Sequence, residues 1–198
     1  GLTFQAHERM VEQLGDVIVA HDLVDLLKTD APLRVAALAS GPSTLVAAWH
    51  AARTQHDVAA AFFQNLQVTE VDVSPTMLAA GRAVRETPAL GGVRTRQVVG
   101  SLTQVPVADN SHDVAVIGFA LNQAGNRQAR IEAIREAHRL TRTGGLIVLV
   151  EPRGTFDAAT LAAQEVGARV LVLPVTSDRA YLVILQKTAA TLAPEHAA

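Results

Sequence analysis

The chain has 198 residues, of which 49% are hydrophobic and 18% are charged, so its composition excludes a disordered polymer and supports one domain with a substantial core. Its formal net charge of -2 gives no electrostatic basis for binding nucleic acid or an anionic membrane. It contains no cysteine, which excludes disulfides, thiolate metal ligands and a cysteine nucleophile.

The N-terminal region carries apolar residues at helical spacing between residues 4 and 28, which predicts one or two helices ahead of the first strand. The changes of pattern divide the chain into an N-terminal helical segment (1–30), an α/β domain (31–187) and a flexible tail (188–198). The first residues do not resemble a signal peptide, and no apolar run approaches the roughly 20 residues that cross a bilayer. We therefore expect a cytoplasmic protein that does not bind membranes.

Short apolar runs then alternate with amphipathic stretches along nearly the whole chain. The apolar runs predict seven strands, at Leu33–Ala39, Gln67–Val73, Val93–Val99, His112–Phe119, Leu146–Val150, Ala168–Leu173 and Ala180–Gln186. The amphipathic stretches predict helices at Thr44–Arg53, from Pro75 with Ser74 as its cap, at Asn126–Thr141 ended by Gly144 and Gly145, and at Phe156–Val166. The last two strands are separated only by Pro174–Asp178, which is short enough for a hairpin.

This order of elements predicts an α/β domain with a mostly parallel sheet, whose last strand the hairpin makes antiparallel. Ligands of such open sheets bind beyond the carboxyl ends of the strands, where the strand order reverses. The predicted site therefore consists of the loops that follow Ala39, Val73, Val99 and Phe119.

Two of these loops carry chemistry that suits a nucleoside ligand. Ser40, Gly41 and Pro42 are small residues at a strand-to-helix turn, which lets a ligand approach the backbone and a helix N-terminus. Asp72 lies at the carboxyl end of the second predicted strand, one residue before its last, where a carboxylate can accept hydrogen bonds from both hydroxyls of a ribose. An ordinary tight turn and a solvated loop acid are the structural alternatives for these two features.

Four segments in this order resemble those of the class I S-adenosylmethionine-dependent methyltransferases, in particular the small-molecule branch related to ubiquinone and menaquinone biosynthesis. The segments are the glycine-containing stretch at 35–43, the ribose-binding stretch at 71–78, the stretch at 105–114 before strand four, and the stretch at 135–145 before strand five. The resemblance spans about Leu33 to Lys187. It implies a Rossmann-like three-layer sandwich with a seven-stranded, mostly parallel sheet whose last strand is antiparallel.

The resemblance also implies a function, namely methyl transfer from S-adenosyl-L-methionine to a small molecule, with the N-terminal helices as a lid. Because the chain has no insertion long enough for a substrate domain, we expect the N-terminal segment, the second subunit of a homodimer or a partner protein to complete the substrate pocket. The residues that the resemblance assigns to the cofactor are Ala39, Ser40, Gly41, Asp72, Val73, Met77, Ser101, Leu102 and Phe119.

The chain departs from the family pattern at four positions. The family usually has acids where Ala37 and Ser101 stand, and glycines where Ala39 and Ser43 stand. These departures motivate an alternative, a catalytically inactive methyltransferase-like domain that serves as an interaction or scaffolding module. A dinucleotide-dependent oxidoreductase is a weaker alternative, because the G-x-G-x-x-G spacing is absent.

Methyl transfer needs alignment of donor and acceptor more than it needs a conspicuous catalytic group. We consider Asn122, just after strand four, and Glu151, at the end of strand five, as candidate catalytic residues. Asn122 as a helix cap and Glu151 as a rim charge are their structural alternatives, and His112 and Asp113 are expected to be structural. The histidines lack the spacing of metal ligands, and the charges between Arg127 and Arg139 are expected to form a solvated helix face.

Overall fold

A computed structural model describes residues 2–23, 25, 31–53, 66–90, 93–172 and 180–189. Its strands are β1 (Leu33–Leu38), β2 (Leu66–Asp72), β3 (Arg94–Val99), β4 (His112–Gly118), β5 (Thr141–Pro152), β6 (Arg169–Val172) and β7 (Ala180–Gln186). Its α-helices are α1 (Leu2–Ala20), α2 (Thr44–Arg53), α3 (Pro75–Arg85), α4 (Arg127–Leu140) and α5 (Phe156–Glu165). The predicted hairpin turn Pro174–Asp178 and the tail from residue 190 lie outside the described residues.

The seven strands form one sheet in the order β3-β2-β1-β4-β5-β7-β6. Strands β1 to β5 pair in parallel, and β7 runs antiparallel to both β5 and β6, which confirms the predicted fold class. The order reverses between β1 and β4, so the loops after these strands diverge and leave a crevice between them. In this register Leu38 pairs with Val71 on one side and with Ile117 on the other. The residues that follow β1, β2 and β4 therefore meet at one edge of the sheet.

Both faces of the sheet are covered, which makes the central strands continuously apolar. On one face, β5 contributes Leu146, Val148 and Val150 to a core cluster with α1 and α2. On the other face, Ile147 and Leu149 pack in a second cluster with α4 and α5. Because successive residues of a strand point to opposite faces, the five consecutive apolar residues supply both cores.

The amino-terminal end of the sheet is held by polar contacts remote from the crevice. The Asp113 carboxylate accepts hydrogen bonds from the backbone N–H of Arg34 (2.8 Å) and from Nε of Arg142 (2.6 Å). His112 is buried and contacts Oγ1 of Thr69 at 2.9 Å. Burial, and secondly the charge of Arg34, lowers the pKa of His112 to about 4. These contacts link β1, β2, β4 and β5, as expected for structural residues.

Charged residues of α4 bind the connection from β3 to β4, so the interpretation of these charges as a solvated helix face is wrong. The Glu136 carboxylate accepts from the backbone N–H of Val105 (2.7 Å), and the Arg139 guanidinium donates to the carbonyls of Val105 and Val107 (2.9 Å each). Arg130 likewise donates to the Leu121 carbonyl at 3.1 Å. Three of the predicted surface charges thus fix loops to the helix.

Strand β5 begins five residues earlier than predicted. The helix ends at Leu140, and Thr141 is already extended, whereas the sequence placed the helix end at Gly144 and Gly145. Both glycines lie within β5, where Gly144 has a φ of +80° and the pairing with β4 shifts register. The glycine pair therefore accommodates an irregularity of the sheet. Glycines are typical of such an irregularity and of a helix C-terminus alike, so the sequence pattern did not distinguish the two.

The close approach at Gly145 predicts a large loss of stability for Gly145→Ala. A Cβ there would lie 2.5 Å from the Asp113 carbonyl oxygen and 2.7 Å from Cγ2 of Thr141, and the backbone oxygen cannot move aside freely. We expect the free energy of unfolding to fall by about 2 to 3 kcal/mol in urea titrations.

Gly154→Ala is the matched control, because a Cβ there meets nothing within 4 Å. Its free energy of unfolding should stay within about 0.5 kcal/mol of the wild type. Equal losses in the two variants would contradict the packing explanation.

Candidate functional site

Two adjoining cavities lie at the carboxyl ends of β1, β2, β3 and β4. The larger has a volume of about 670 Å³ and is lined by residues from all four loops that follow these strands. The smaller has a volume of about 220 Å³ and lies between α1, α2 and the ends of β1 and β4. Both are lined by Ala39, Gly41, Phe119 and Gln123, so the cavities meet at these residues.

All nine residues that the sequence assigns to a cofactor line this pair of cavities. Ser40 lines the smaller cavity only, and the other eight line the larger: Ala39, Gly41, Asp72, Val73, Met77, Ser101, Leu102 and Phe119. Their placement agrees with the prediction of a site at these loops, while their role in binding stays a prediction.

The loop after β1 has a left-handed backbone at three positions, only one of which is a glycine. Ala39, Gly41 and Ser43 have φ values of +52°, +52° and +62°. Non-glycine residues with this geometry cost roughly 1 to 2 kcal/mol each. The Ser43 side chain points away from the cavities and accepts a hydrogen bond from Nη1 of Arg85 at 2.7 Å. At Ser43 the loop therefore retains its left-handed shape through a side-chain contact rather than through a glycine.

Arg85 forms a buried ion pair beneath the same loop. Its Nη1 donates to Oε2 of Glu70 at 2.6 Å, and the Glu70 side chain is only 1% exposed. The Ser43 hydroxyl accepts a hydrogen bond from the same guanidinium nitrogen. This contact joins β2 and α3 to the turn after β1, which holds the turn in place from below.

Asp72 is the acid of the larger cavity and joins two of its loops. Its Oδ2 accepts from the backbone N–H of Gly41 (2.9 Å), and its Oδ1 accepts from the backbone N–H of Ser74 (2.8 Å). An ionised carboxylate has about four acceptor sites, so each oxygen keeps capacity for a further donor. Ser74 caps α3 by accepting from the N–H of Met77, and Pro75 stands at the start of that helix, as predicted.

Glu151 is fully buried and lines neither cavity, so it is neither the pocket residue nor the rim charge that the sequence predicted. Its Oε1 accepts from the backbone N–H groups of Ala120 (2.7 Å) and Leu121 (3.0 Å). Burial raises its pKa to about 7, although these backbone donors act in the opposite direction. Because Ala120 lines the larger cavity, Glu151 positions a wall of the site.

Asn122 is exposed, and it is not among the residues that line either cavity. It does not cap the following helix either, since Asn126 is the cap and accepts from the N–H of Ala129 at 2.9 Å. The structure thus brings neither Asn122 nor Glu151 to the cavity surface. Among the described residues, no group of three or more histidine or acidic side chains could hold a metal ion.

His7 lines the smaller cavity and was missed by the sequence analysis. It lies on α1, is only 5% exposed, and its ring centroid is 6.0 Å from that of Phe119. A Cβ at Gly118 would collide with the His7 ring, so this glycine makes room for the histidine. The available signal was helical spacing, because His7 lies on the same helix face as the buried Met10, Val11 and Leu14.

A comparison with known families identifies the domain. The family profile described as "Methyltransferase domain" matches residues 51–149, which is half of the chain. The chain belongs to this methyltransferase domain family. No helix in the part of the chain that the structure describes is long and apolar enough to cross a membrane.

Curated relatives match the methyltransferase domain over part of their length. The ubiquinone/menaquinone biosynthesis C-methyltransferase of Dinoroseobacter shibae is 35% identical over 99 residues, which cover 48% of this chain and 38% of that protein. The chain spans about a third of the length of the curated relatives it matches.

Solved structures support the fold of the methyltransferase domain. A SAM-dependent methyltransferase from Methanosarcina mazei has a TM-score of 0.64 at 13% identity, covering 81% of this chain and 94% of that one. Magnesium protoporphyrin IX methyltransferase from Synechocystis, solved with bound SAM, has a TM-score of 0.64 at 14% identity, covering 92% of this chain and 80% of that one.

The raised pKa of Glu151 predicts that this methyltransferase domain loses stability as the pH rises. Between pH 4.5, the ordinary pKa, and about pH 7, the folded pKa, the folded state keeps the carboxyl proton and the unfolded state has released it. The free energy of unfolding therefore falls as the pH rises across this window. The loss is roughly 3 kcal/mol once ionisation is complete. Glu151→Gln should flatten this dependence and be more stable than the wild type near pH 8, as measured by urea titrations between about pH 5 and pH 8. A variant curve parallel to that of the wild type would contradict the assignment.

The left-handed backbone at Ala39 predicts that Ala39→Gly stabilises the domain. Glycine adopts a φ of +52° without the clash of a Cβ, although it also raises the entropy of the unfolded chain. We expect the free energy of unfolding to rise by about 0.5 to 1 kcal/mol. Ala36→Gly, in the buried interior of β1, is the matched control and should lower it by about 1 kcal/mol. A lower free energy of unfolding in both variants would show that the backbone at Ala39 is not strained.

Proposed function

We propose that the domain binds S-adenosyl-L-methionine in the larger cavity and transfers the methyl group to a small molecule. The observation that carries this proposal is the position of Asp72, which lines the cavity and joins the turn after β1 to the start of α3. A carboxylate with free acceptor capacity suits the two hydroxyls of a ribose. The names of the curated relatives, which are methyltransferases of quinone biosynthesis, support the same activity.

The residues present fit this cofactor. A volume of about 670 Å³ lies within the roughly 300 to 1,000 Å³ of sites that enclose ligands of such size. Gly41 has a φ of +52° and nothing within 4 Å of an added Cβ, so its backbone is open to a ligand. Ser101 and Leu102, after β3, line the same cavity and would contact the adenine.

The departures from the family pattern weaken binding in this proposal without removing the site. Ala37 and Ser101 supply no charge where the family usually has acids, so Asp72 provides the only carboxylate among the described residues that line the two cavities. If each missing acid removes about 1.4 kcal/mol, the dissociation constant rises tenfold for each. We therefore expect binding in the micromolar range or weaker.

The chemistry of the proposal needs positioning above all. The cofactor, when bound, supplies an electrophilic methyl group on a sulfonium. Two carboxylates fix the backbone at the two ends of the site. Asp72 holds the turn after β1, and Glu151 holds the turn after β4. Such preorganisation lowers the entropic part of the barrier, because donor and acceptor meet in line. Helix α1 covers the smaller cavity and would exclude water there, in the role of the predicted lid.

The proposal predicts that Asp72→Asn weakens the binding of S-adenosylmethionine and S-adenosylhomocysteine by roughly tenfold to a hundredfold. Hydrogen bonds to a charged acceptor contribute about 1.5 to 3 kcal/mol, and the amide keeps the shape of the side chain while losing its charge. Isothermal titration calorimetry measures the change directly.

Asp157→Asn, an exposed acid on α5, is the control and should bind both ligands as the wild type does. Near-ultraviolet circular dichroism checks that both variants are folded. If the wild type gives neither heat nor thermal stabilisation at millimolar ligand, the proposed activity is wrong and the alternative of an inactive domain replaces it.

A further inference from the structure

Glu151 lies directly behind the wall of the larger cavity. Its Oε1 accepts hydrogen bonds from the backbone N–H groups of Ala120 (2.7 Å) and Leu121 (3.0 Å), and Ala120 lines the cavity. The turn that carries these N–H groups also supplies Phe119 and Ala124 to the cavity. A charge on this carboxyl group is therefore separated from the space proposed for the cofactor by one small residue of the wall.

The second oxygen of this carboxyl group is left without a partner. Oε2 of Glu151 is buried and has no hydrogen bond to any described residue. The neutral acid needs an acceptor for its proton, whereas the carboxylate has capacity for further donors. Because neither form is fully satisfied, a charge that arrives nearby can shift the balance between them.

The surroundings of Glu151 leave its ionisation nearly balanced. Burial favours the neutral acid, whereas the N–H groups of the turn and the guanidinium of Arg130, on α4, favour the carboxylate, so that its pKa is about 7. Tyr181 is the partner of Glu151 on β7, and burial raises the pKa of its hydroxyl, which stays neutral. Arg130 is therefore the charged side chain, among those the structure describes, that acts on Glu151.

The proposed cofactor and its product differ in the property to which Glu151 responds. S-adenosylmethionine carries a positive sulfonium, whereas S-adenosylhomocysteine carries a neutral thioether. An opposite charge in a site that excludes water favours the ionised form of a carboxyl group. By linkage, the protein with ionised Glu151 binds the sulfonium more tightly than the protein with neutral Glu151 does.

We propose that Glu151 favours the charged cofactor over its neutral product, because its carboxylate forms when the sulfonium binds and takes up a proton again after methyl transfer. This inference rests on the proposed function. Glu151 acts through its charge and does not contact the reacting atoms. Its proton goes to solvent as the cofactor binds and returns from solvent afterwards, so the product leaves a site that no longer attracts it electrostatically.

Calorimetric titration with both ligands at pH 6 and pH 8 tests the proposal. The reference is Glu151→Gln, which keeps the shape of the side chain but cannot ionise, so that groups titrating on the ligands cancel. If the sulfonium lowers the pKa of Glu151 from about 7 to about 6, the wild type gains about fivefold in affinity for S-adenosylmethionine across this range, relative to the variant. For S-adenosylhomocysteine the gain should stay below about twofold.

Proton release provides a second measurement. Titration at pH 7 in two buffers of different ionisation enthalpy should show that the wild type releases about 0.4 proton more than Glu151→Gln as it binds S-adenosylmethionine, and no more than the variant as it binds S-adenosylhomocysteine. Asp157→Asn removes an exposed acid of α5, which packs against the same strand, and should release as much as the wild type. If Glu151→Gln fails to fold, as checked by circular dichroism, the comparison of the two ligands with the wild type alone carries the test.

Two outcomes would overturn the inference. The same pH dependence for both ligands in the wild type would show that Glu151 only holds the turn. Undiminished proton release in a folded Glu151→Gln protein would assign the proton to another group. Either result leaves the proposed function intact, because the ligands still bind. Wild-type protein that binds neither ligand at either pH would instead remove the proposed function, and this inference with it.

Discussion

The site depends on one carboxylate that is already committed to the backbone. Asp72 accepts from the N–H of Gly41 on one side and from the N–H of Ser74 on the other, so it joins the turn after β1 to the start of α3. The parallel register brings these segments to one edge of the sheet, and the carboxylate then fixes their separation. A ligand that engages Asp72 therefore meets a surface that needs little reorganisation on binding.

Local sequence predicted the parts of this arrangement that local chemistry determines. Ser74 and Pro75 form a helix start whose geometry follows from a side-chain acceptor and a fixed φ, and both lie where the sequence placed them. The parallel pairing of the first five strands follows from their short right-handed connections, and it brings Asp72 and Phe119 to one edge of the sheet. The nine expected cofactor residues line the cavities for the same reason, since each lies at or after the end of a strand that the pattern indicated.

The features that were missed depend on contacts between distant parts of the chain. Glu151 precedes a proline and an arginine and looks like a surface charge, yet it is buried because the N–H groups of Ala120 and Leu121 need an acceptor. His7 meets Gly118 more than a hundred residues away, and no local pattern marks that pairing. Gly144 could serve equally as a helix stop or as a kink in a strand, and only the pairing of β4 with β5 decides between them.

Helix α1 performs two tasks with two different stretches of one face. Met10, Leu14 and Ile18 are fully buried and anchor the helix in the core, whereas His7, one turn nearer the N-terminus, faces a cavity. A substitution at residue 7 therefore changes the wall of this cavity while the anchoring residues remain in place. Position 7 can vary in related sequences without compensating changes in the core, whereas positions 10, 14 and 18 cannot.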